Sequence, residues 1–217
     1  MKAVGYRAAG PISNKDALED IELPVVAPTG RDIRVAVRAV SVNPVDTKIR
    51  RGVAPPVGEY RVLGWDSAGV VEAVGLEASL FKPGDEVFYA GSLERAGSNS
   101  ELHLVDERIV GRKPRSLGFA EAAALPLTAI TAWEAIFDRL DVARPTREGG
   151  GMILVIGGAG GVGSIAIQIL RKLTNLTIIA TASRAETQAW VKEMGAHHVV
   201  DHRSPLHEEI KRLGLGA

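Results

Sequence analysis

The sequence contains no cysteine. That excludes disulfides and every thiolate-ligated metal centre, although it fixes no compartment. Neither sign of charge is in excess, because 26 Lys and Arg balance 26 Asp and Glu. No bulk positive field therefore draws the chain to nucleic acid or an anionic membrane. Aromatic residues are scarce at 5%, and no basic cluster interleaves with them, which argues against an RNA-binding face. No stretch approaches the roughly 18 continuous apolar residues of a membrane helix. The opening Met1-Lys-Ala-Val-Gly-Tyr-Arg7 lacks a signal peptide's apolar core. The default expectation is a cytoplasmic protein with no membrane and no nucleic-acid partner. With 217 residues at 46% hydrophobic, the chain has enough apolar material for one large domain or two small ones.

Glycine is plentiful, at 24 residues, and its placement is the strongest signal. In Ile153-Leu-Val-Ile-Gly-Gly-Ala-Gly-Gly-Val-Gly-Ser164 an apolar strand runs into glycines at 158, 160 and 163. A helical pattern follows in Ile165, Ala166, Ile169, Leu170 and Leu173. This is the G-x-G-x-x-G dinucleotide arrangement in its strand–turn–helix context. On that reading Gly158 permits the tight turn, Gly160 lets backbone N–H groups approach a pyrophosphate, and Gly163 lets the helix pack close to the strand. Ala159, Gly161 and Val162 complete the phosphate loop, which the helix N-terminus faces with its partial positive charge. A plain tight turn between strand and helix is the blander alternative.

Residues 1 to about 115 read as β-rich. Asp32 to Val40 alternates strictly, with Ile33, Val35, Val37 and Ala39 on one face and Arg34, Ala36, Arg38 and Val40 on the other. Further strands are predicted at Lys2–Arg7, Ala68–Ala73, Glu86–Tyr89 and Glu101–Val105, separated by turn signals such as Lys82-Pro-Gly-Asp85. Together they suggest a small, partly open barrel. From about Phe119 the texture changes: Ala120 to Leu140 is Ala-rich and helical in period, interrupted by Pro126, and Arg144 to Gly151 is a polar, Gly-ended connection. Domains are placed at 1–122 and 123–217. After the glycines come strand Thr177–Ala182, helix Ala185–Met194 and strand His197–Asp201, then a short helical segment Pro205–Leu213, with Gly195 suited to a helix C-cap. The result is the first βαβαβ half of a doubly wound parallel sheet. A complete dinucleotide fold needs a second half, so the chain is expected to be a fragment or a truncated product.

Five segments carry a family likeness: Ser41-Val-Asn-Pro-Val-Asp-Thr-Lys48, Leu63-Gly-Trp-Asp-Ser-Ala-Gly-Val-Val71, Phe81-Lys-Pro-Gly-Asp-Glu-Val87, Leu125-Pro-Leu-Thr-Ala-Ile-Thr-Ala-Trp133 and the glycine turn. With these, the chain resembles the medium-chain dehydrogenase/reductase superfamily, specifically its zinc-independent quinone oxidoreductase branch. The resemblance implies an α/β protein: a GroES-like β-barrel domain followed by a Rossmann domain, with the active site in the cleft between them. It also implies a homodimer at full length. Zinc-using relatives place a Cys in the segment matching Asn43 and a His-Glu pair in the one matching Trp65-Asp66. Here those positions hold an amide, an indole and a carboxylate, and Ala90 to Arg112 offers no thiolates for a structural zinc. No metal is predicted, and the five histidines (103, 197, 198, 202 and 207) show no ligand spacing.

Cofactor choice turns on the end of the second strand, where an NAD enzyme places Asp or Glu about 20 residues beyond the glycines. This chain has Thr181-Ala-Ser-Arg184 there. A hydroxyl and a planar guanidinium suit a 2′-phosphate, so Ser183 and Arg184 point to NADPH. Ser183 is also open to reading as an N-cap in the capping box Ser183-Arg-Ala-Glu186, and Arg184 as a solvated charge. In the resembled branch a Tyr after the third strand reaches the same phosphate, and His202 occupies that place.

Without a metal, hydride transfer favours acceptors that delocalise negative charge themselves, namely a quinone or an alkene conjugated to a carbonyl. Asn43, Asp46, Lys48, Thr128 and Thr131 are placed around the nicotinamide and the acceptor. The resemblance implies that Asn43 and Thr128 hydrogen-bond near nicotinamide and oxyanion, while Asp46 braces the loop. Lys48 departs from the Tyr of several relatives, and its ammonium suits an enolate or hydroquinone anion. The plainer readings are an Asn43-Pro44 turn, a cap at Asp46, and threonines bonded to backbone carbonyls. Trp65 and Trp133 read as core. An enoyl-thioester reductase and a non-catalytic nucleotide-binding relative are the rival functions.

Overall fold

The computed structural model describes residues 1–142 and 151–215, which fall into two compact units, Met1–Leu127 and Thr128–Ala217. The sequence placed this division a few residues earlier. The connection read over Arg144 to Gly151 lies, apart from its last residue, outside the described residues.

The first unit runs β1 (Lys2–Tyr6), β2 (Glu19–Glu22), β3 (Asp32–Ser41), α1 (Pro44–Gly52), β4 (Arg61–Val62), β5 (Asp66–Val74), β6 (Glu86–Ala90), β7 (Leu102–Asp106), a 3-10 turn (Glu107–Ile109), β8 (Val110–Arg112) and α2 (Phe119–Ala123). The partly open barrel takes the form of two antiparallel sheets, β2-β1-β4 and β7-β3-β5-β6-β8, bridged at Ala3 and Ser100. The alternation of β3 appears directly as burial, with Ile33 and Val35 fully buried and Arg38 and Val40 exposed. Val71, Val87, Tyr89 and Val105 complete that core, where each buried aliphatic side chain contributes about 1.5–3 kcal/mol. A β-bulge between Val37 and Ala39 shifts the register and leaves both residues only half-buried. A fully buried carboxylate, Glu107, accepts from the backbone N–H groups of Ser79 and Leu80 at 2.9 and 2.7 Å and from Arg31 at 3.0 Å, which compensates its burial.

The chain passes into the second unit through α3 (Pro126–Trp133), which widens into a π-helical turn at Glu134–Arg139. Pro126 at the start of α3 explains the break expected within the Ala-rich stretch. Then follow β9 (Met152–Val155), α4 (Gly161–Leu173), β10 (Thr177–Thr181), α5 (Ala185–Glu193), β11 (His198–Val200) and α6 (Leu206–Arg212). The sheet is parallel with order β11-β10-β9, as predicted. Ile167, Leu170, Ile178, Ala180 and Val191 pack the helices onto it. Gly195 ends α5 at φ +110°, a conformation that favours glycine.

Candidate functional site

In the second unit the glycine turn is tied to the end of β10. The Gly157 N–H donates to the Thr181 hydroxyl at 2.9 Å, and the Gly158 N–H to the Thr181 carbonyl at 3.1 Å. Gly157, at φ +69°, takes the strained turn position, which corrects the assignment of that role to Gly158. Gly158 instead packs closely: a Cβ there would lie 2.9 Å from the Ala180 Cβ and 3.1 Å from a Val191 methyl. Gly163 has its expected packing role, since a Cβ would overlap the Gly157 carbonyl oxygen. Gly160 is the N-cap of α4 and brings no side-chain cap, so the first N–H groups of the helix, on Gly161, Val162 and Gly163, are left for an external acceptor. Ala159 is half-buried and Gly160 and Gly161 are exposed. Over the same turn, the Thr128 methyl of α3 would stand 3.2 Å from a Cβ on Gly161, and Thr131 lies one helical turn further along α3. On the α4 side, the Trp190 indole donates to the Ser164 hydroxyl at 2.8 Å.

The strand ends hold a cation that sequence reasoning missed. Arg203 donates to the Ser183 carbonyl at 3.0 Å and grips the Asp201 carboxylate with Nε and Nη2, the latter at 2.6 Å. Hydrogen bonds from Arg203 hold the Asp201 carboxyl down at about 2. The one carboxylate at the end of β11 is thereby occupied. The Asp201-His-Arg203 pattern was the available signal, and Asp106 and Arg108 make the same pairing elsewhere. Ser183 is not the N-cap: α5 begins one residue later, with Arg184 at the cap and its N–H donating to the Thr187 hydroxyl at 3.2 Å. The Arg184 guanidinium is exposed and pairs with Glu186 at 3.2 Å. His202 is exposed at the turn after β11.

In the first unit Asn43 and Pro44 begin a full helix, not an isolated turn. Asn43 is the N-cap of α1, Pro44 stands at N1, and Asp46 at N3 accepts the Asn43 N–H at 2.8 Å. The other oxygen of the buried Asp46 accepts the N–H of Gly64 at 3.0 Å, tying α1 to the segment before β5. Asn43 Nδ2 donates to Asp66 Oδ2 at 2.8 Å, and Asp66 Oδ1 accepts the Leu127 N–H at 2.7 Å. Asp66 is fully buried. Burial pushes its carboxyl above the usual range, the Asn43 and Leu127 donors oppose that, and the Asp46 charge adds to it. Lys48 is exposed on α1. Trp65 is a core residue as expected, 1% exposed with its indole donating to the Ser92 carbonyl at 2.9 Å, whereas Trp133 is exposed, edge-on to Phe137, which corrects its reading as core.

These residues do not fit a zinc ion. The Trp65 indole has no lone pair to give, the Asn43 nitrogen is a donor, and both Asp66 oxygens are engaged. Among the described residues no three His, Asp or Glu cluster in a ligand geometry.

Residues 29–134 match the alcohol dehydrogenase GroES-like domain, and residues 161–217 match the zinc-binding dehydrogenase family. A crystal structure from Rhizobium etli, provisionally described as a zinc-dependent alcohol dehydrogenase, is 64% identical with a TM-score of 0.95, covering 100% of this chain and 63% of that one. The chain belongs to the medium-chain dehydrogenase/reductase superfamily. Within this superfamily of oxidoreductases, a zinc-type alcohol dehydrogenase-like protein of Staphylococcus epidermidis is 42% identical over 213 residues, 97% of this chain and 62% of that protein. The Escherichia coli quinone oxidoreductase, solved with NADPH, is 28% identical with a TM-score of 0.81, covering 99% of this chain and 63% of that one. The chain thus spans a little over three-fifths of the length of the relatives it matches. No helix among the described residues is long and apolar enough to cross a membrane.

Proposed function

We propose that the protein is an NADPH-dependent, zinc-independent reductase that delivers a hydride to a quinone or an α,β-unsaturated carbonyl compound. The observation that carries this reading is the Asn43–Asp66 pair, an amide bound to a buried carboxylate at the place where zinc-using relatives hold their metal. A metal would contribute several kcal/mol to an alkoxide-like transition state, so a site built from these side chains is better matched to acceptors that spread the charge over a conjugated system. The nicotinamide, when bound, supplies the hydride.

In this reading the loop of Gly158, Ala159, Gly160, Gly161, Val162 and Gly163 holds the pyrophosphate through backbone N–H groups. Ser183, Arg184 and His202 receive the 2′-phosphate, with Arg203 as an added cation. Arg203 also ties up Asp201 at the end of the third strand, so that this carboxylate does not stand free beside the phosphate-binding cations. Thr128 and Thr131 position the nicotinamide. Asp46 sets the start of α1, Asn43 makes a ligand hydrogen bond, and the Lys48 ammonium stabilises the enolate or hydroquinone anion or donates the proton. The proposed setting is cytoplasmic and homodimeric, with no nucleic-acid or membrane partner.

The test is NADPH oxidation by the full-length protein against a panel of quinones, enones and enoyl thioesters. Turnover on quinones or enones supports the proposal. Turnover confined to enoyl thioesters would move the protein to that class of reductase, and no turnover with intact nucleotide binding would mark a non-catalytic relative.

A further inference from the structure

The proposed chemistry gives Asp66 no step of its own, yet it is a fully buried carboxyl with both oxygens engaged, by Asn43 Nδ2 at 2.8 Å and the Leu127 N–H at 2.7 Å. Each oxygen acts as an acceptor, so each partner must present a hydrogen. For Leu127 that is automatic. For Asn43 it selects one of two amide orientations, because the reversed one would set Oδ1 against a carboxylate oxygen. The backbone N–H of Asn43 is also committed, to Asp46 at 2.8 Å, so the residue is held at both its main chain and its side chain.

We infer that Asp66 is a positioning residue that fixes the polarity of Asn43, so that Asn43 offers its Oδ1 to the ligand as a hydrogen-bond acceptor. This rests on the proposed reductase reading, and it narrows the role of Asn43 within it. An acceptor suits an O–H or N–H of the nicotinamide riboside half of the cofactor. It does not suit an oxyanion. The second Nδ2 hydrogen is a poor anion donor, because any oxyanion there would share one nitrogen with the Asp66 carboxylate and be repelled by it. Stabilising the developing anion therefore falls to other groups, of which Lys48 carries the charge.

The two side chains can be exchanged in a way that separates polarity from packing. In Asp66→Asn, the new Oδ1 keeps the Leu127 N–H and the new Nδ2 faces Asn43, which must turn its own Oδ1 inward and its amino group outward. In the double variant Asn43→Asp with Asp66→Asn, the buried hydrogen bond is rebuilt with donor and acceptor reversed, and an acceptor again faces outward. We expect Asp66→Asn to weaken NADP+ binding by tenfold or more, while leaving the affinity for adenosine 2′,5′-bisphosphate, which lacks the nicotinamide riboside, within twofold. The double variant should recover most of the loss in NADP+ binding. Side-chain amide NMR provides a readout independent of cofactor: the Asn43 proton bonded to Asp66 should resonate downfield in the unmodified protein and move in Asp66→Asn. Equal losses for both ligands would make Asp66 merely structural and overturn the inference. So would a double variant no better than the single one, or an unmoved Asn43 amide signal. Absence of reductase turnover with these binding and NMR shifts intact would fault the reductase reading and leave the polarity assignment standing. If Asp66→Asn does not fold, the double variant still decides the matter, since it binds NADP+ only if an outward acceptor is what the ligand needs.

Discussion

Arg203 and Ser183 are joined across the ends of two neighbouring strands, the guanidinium donating to the carbonyl at 3.0 Å while its other edge holds Asp201. This contact sets two cations, Arg203 and Arg184, beside a segment that offers no free carboxylate. Arg184→Ala should weaken NADPH binding by about 1–3 kcal/mol, the scale of a lost charge-assisted hydrogen bond, and leave NADH nearly unchanged. Arg203→Ala should weaken NADPH as well, because a cation is lost and the Asp201 carboxylate is freed to repel the 2′-phosphate, and it should change NADH little. Isothermal titration with both nucleotides measures this, and equal losses for the two would sink the assignment.

The glycine turn allows a graded test. Gly163→Ala drives a methyl into the Gly157 carbonyl and should abolish nucleotide binding. Gly157→Ala meets no neighbouring atom but must adopt φ +69°, at a cost of about 1 kcal/mol. Gly161→Ala has only the Thr128 methyl to accommodate and should leave the fold intact. Thermal unfolding and nucleotide titration of the three should rank them in that order of severity. A benign Gly163→Ala would contradict the packing account.

His103 should make the first unit sensitive to acid. It is buried, donates from Nε2 to the Ala96 carbonyl and accepts the Tyr89 hydroxyl at Nδ1, an arrangement that requires the neutral ring. Burial, opposed by the Ala96 carbonyl and Asp32 and aided by Arg95, lowers its pKa to about 4. The folded form thus resists a proton that the unfolded chain accepts near its ordinary value of 6.5. Stability from this residue is present above that value and is lost as pH falls toward 4, on the order of 2–3 kcal/mol. Urea unfolding of the unmodified protein and His103→Gln between neutral pH and pH 4 should show the steeper decline in the former. Parallel declines would remove His103 from the explanation.

The donor set at Asn43, Trp65 and Asp66 predicts that the activity is independent of metal. Prolonged dialysis against a chelator should leave turnover of the full-length protein unchanged. Stoichiometric zinc in protein purified without added metal, with activity lost on its removal, would refute the proposal.

Much of this architecture was legible because the responsible signals are local. The two-faced β3 and the strand, turn and helix around the glycines each encode their state within a dozen residues. Helix α1 was hidden, because Asn43-Pro44 reads as a turn and only Val45 and Ile49 form its apolar stripe. Strand β4 has two residues and β2 is largely charged, so neither shows a period. The start of α5 was ambiguous by one residue, since Ser183 with Glu186 and Arg184 with Thr187 both fit a capping pattern. A contact from elsewhere in the chain, Arg203 on the Ser183 carbonyl, goes with the later start, as does Gln188 of α5 itself on the Ala182 carbonyl. The role of Asp66 was out of reach for the same reason, because its partners stand 23 and 61 residues away in the chain.

The indole of Trp190, hydrogen-bonded to Ser164 on the first turn of α4, gives the protein an optical handle of its own. Of its three tryptophans, Trp65 is sealed in the first unit, whereas Trp133 and Trp190 are exposed. Trp190 is 43% exposed beside the turn proposed to receive a pyrophosphate, so a change at the Ser164 hydroxyl is expected to alter its emission. A fluorescence titration needs no label, and comparison with Trp190→Phe isolates the signal of this one ring.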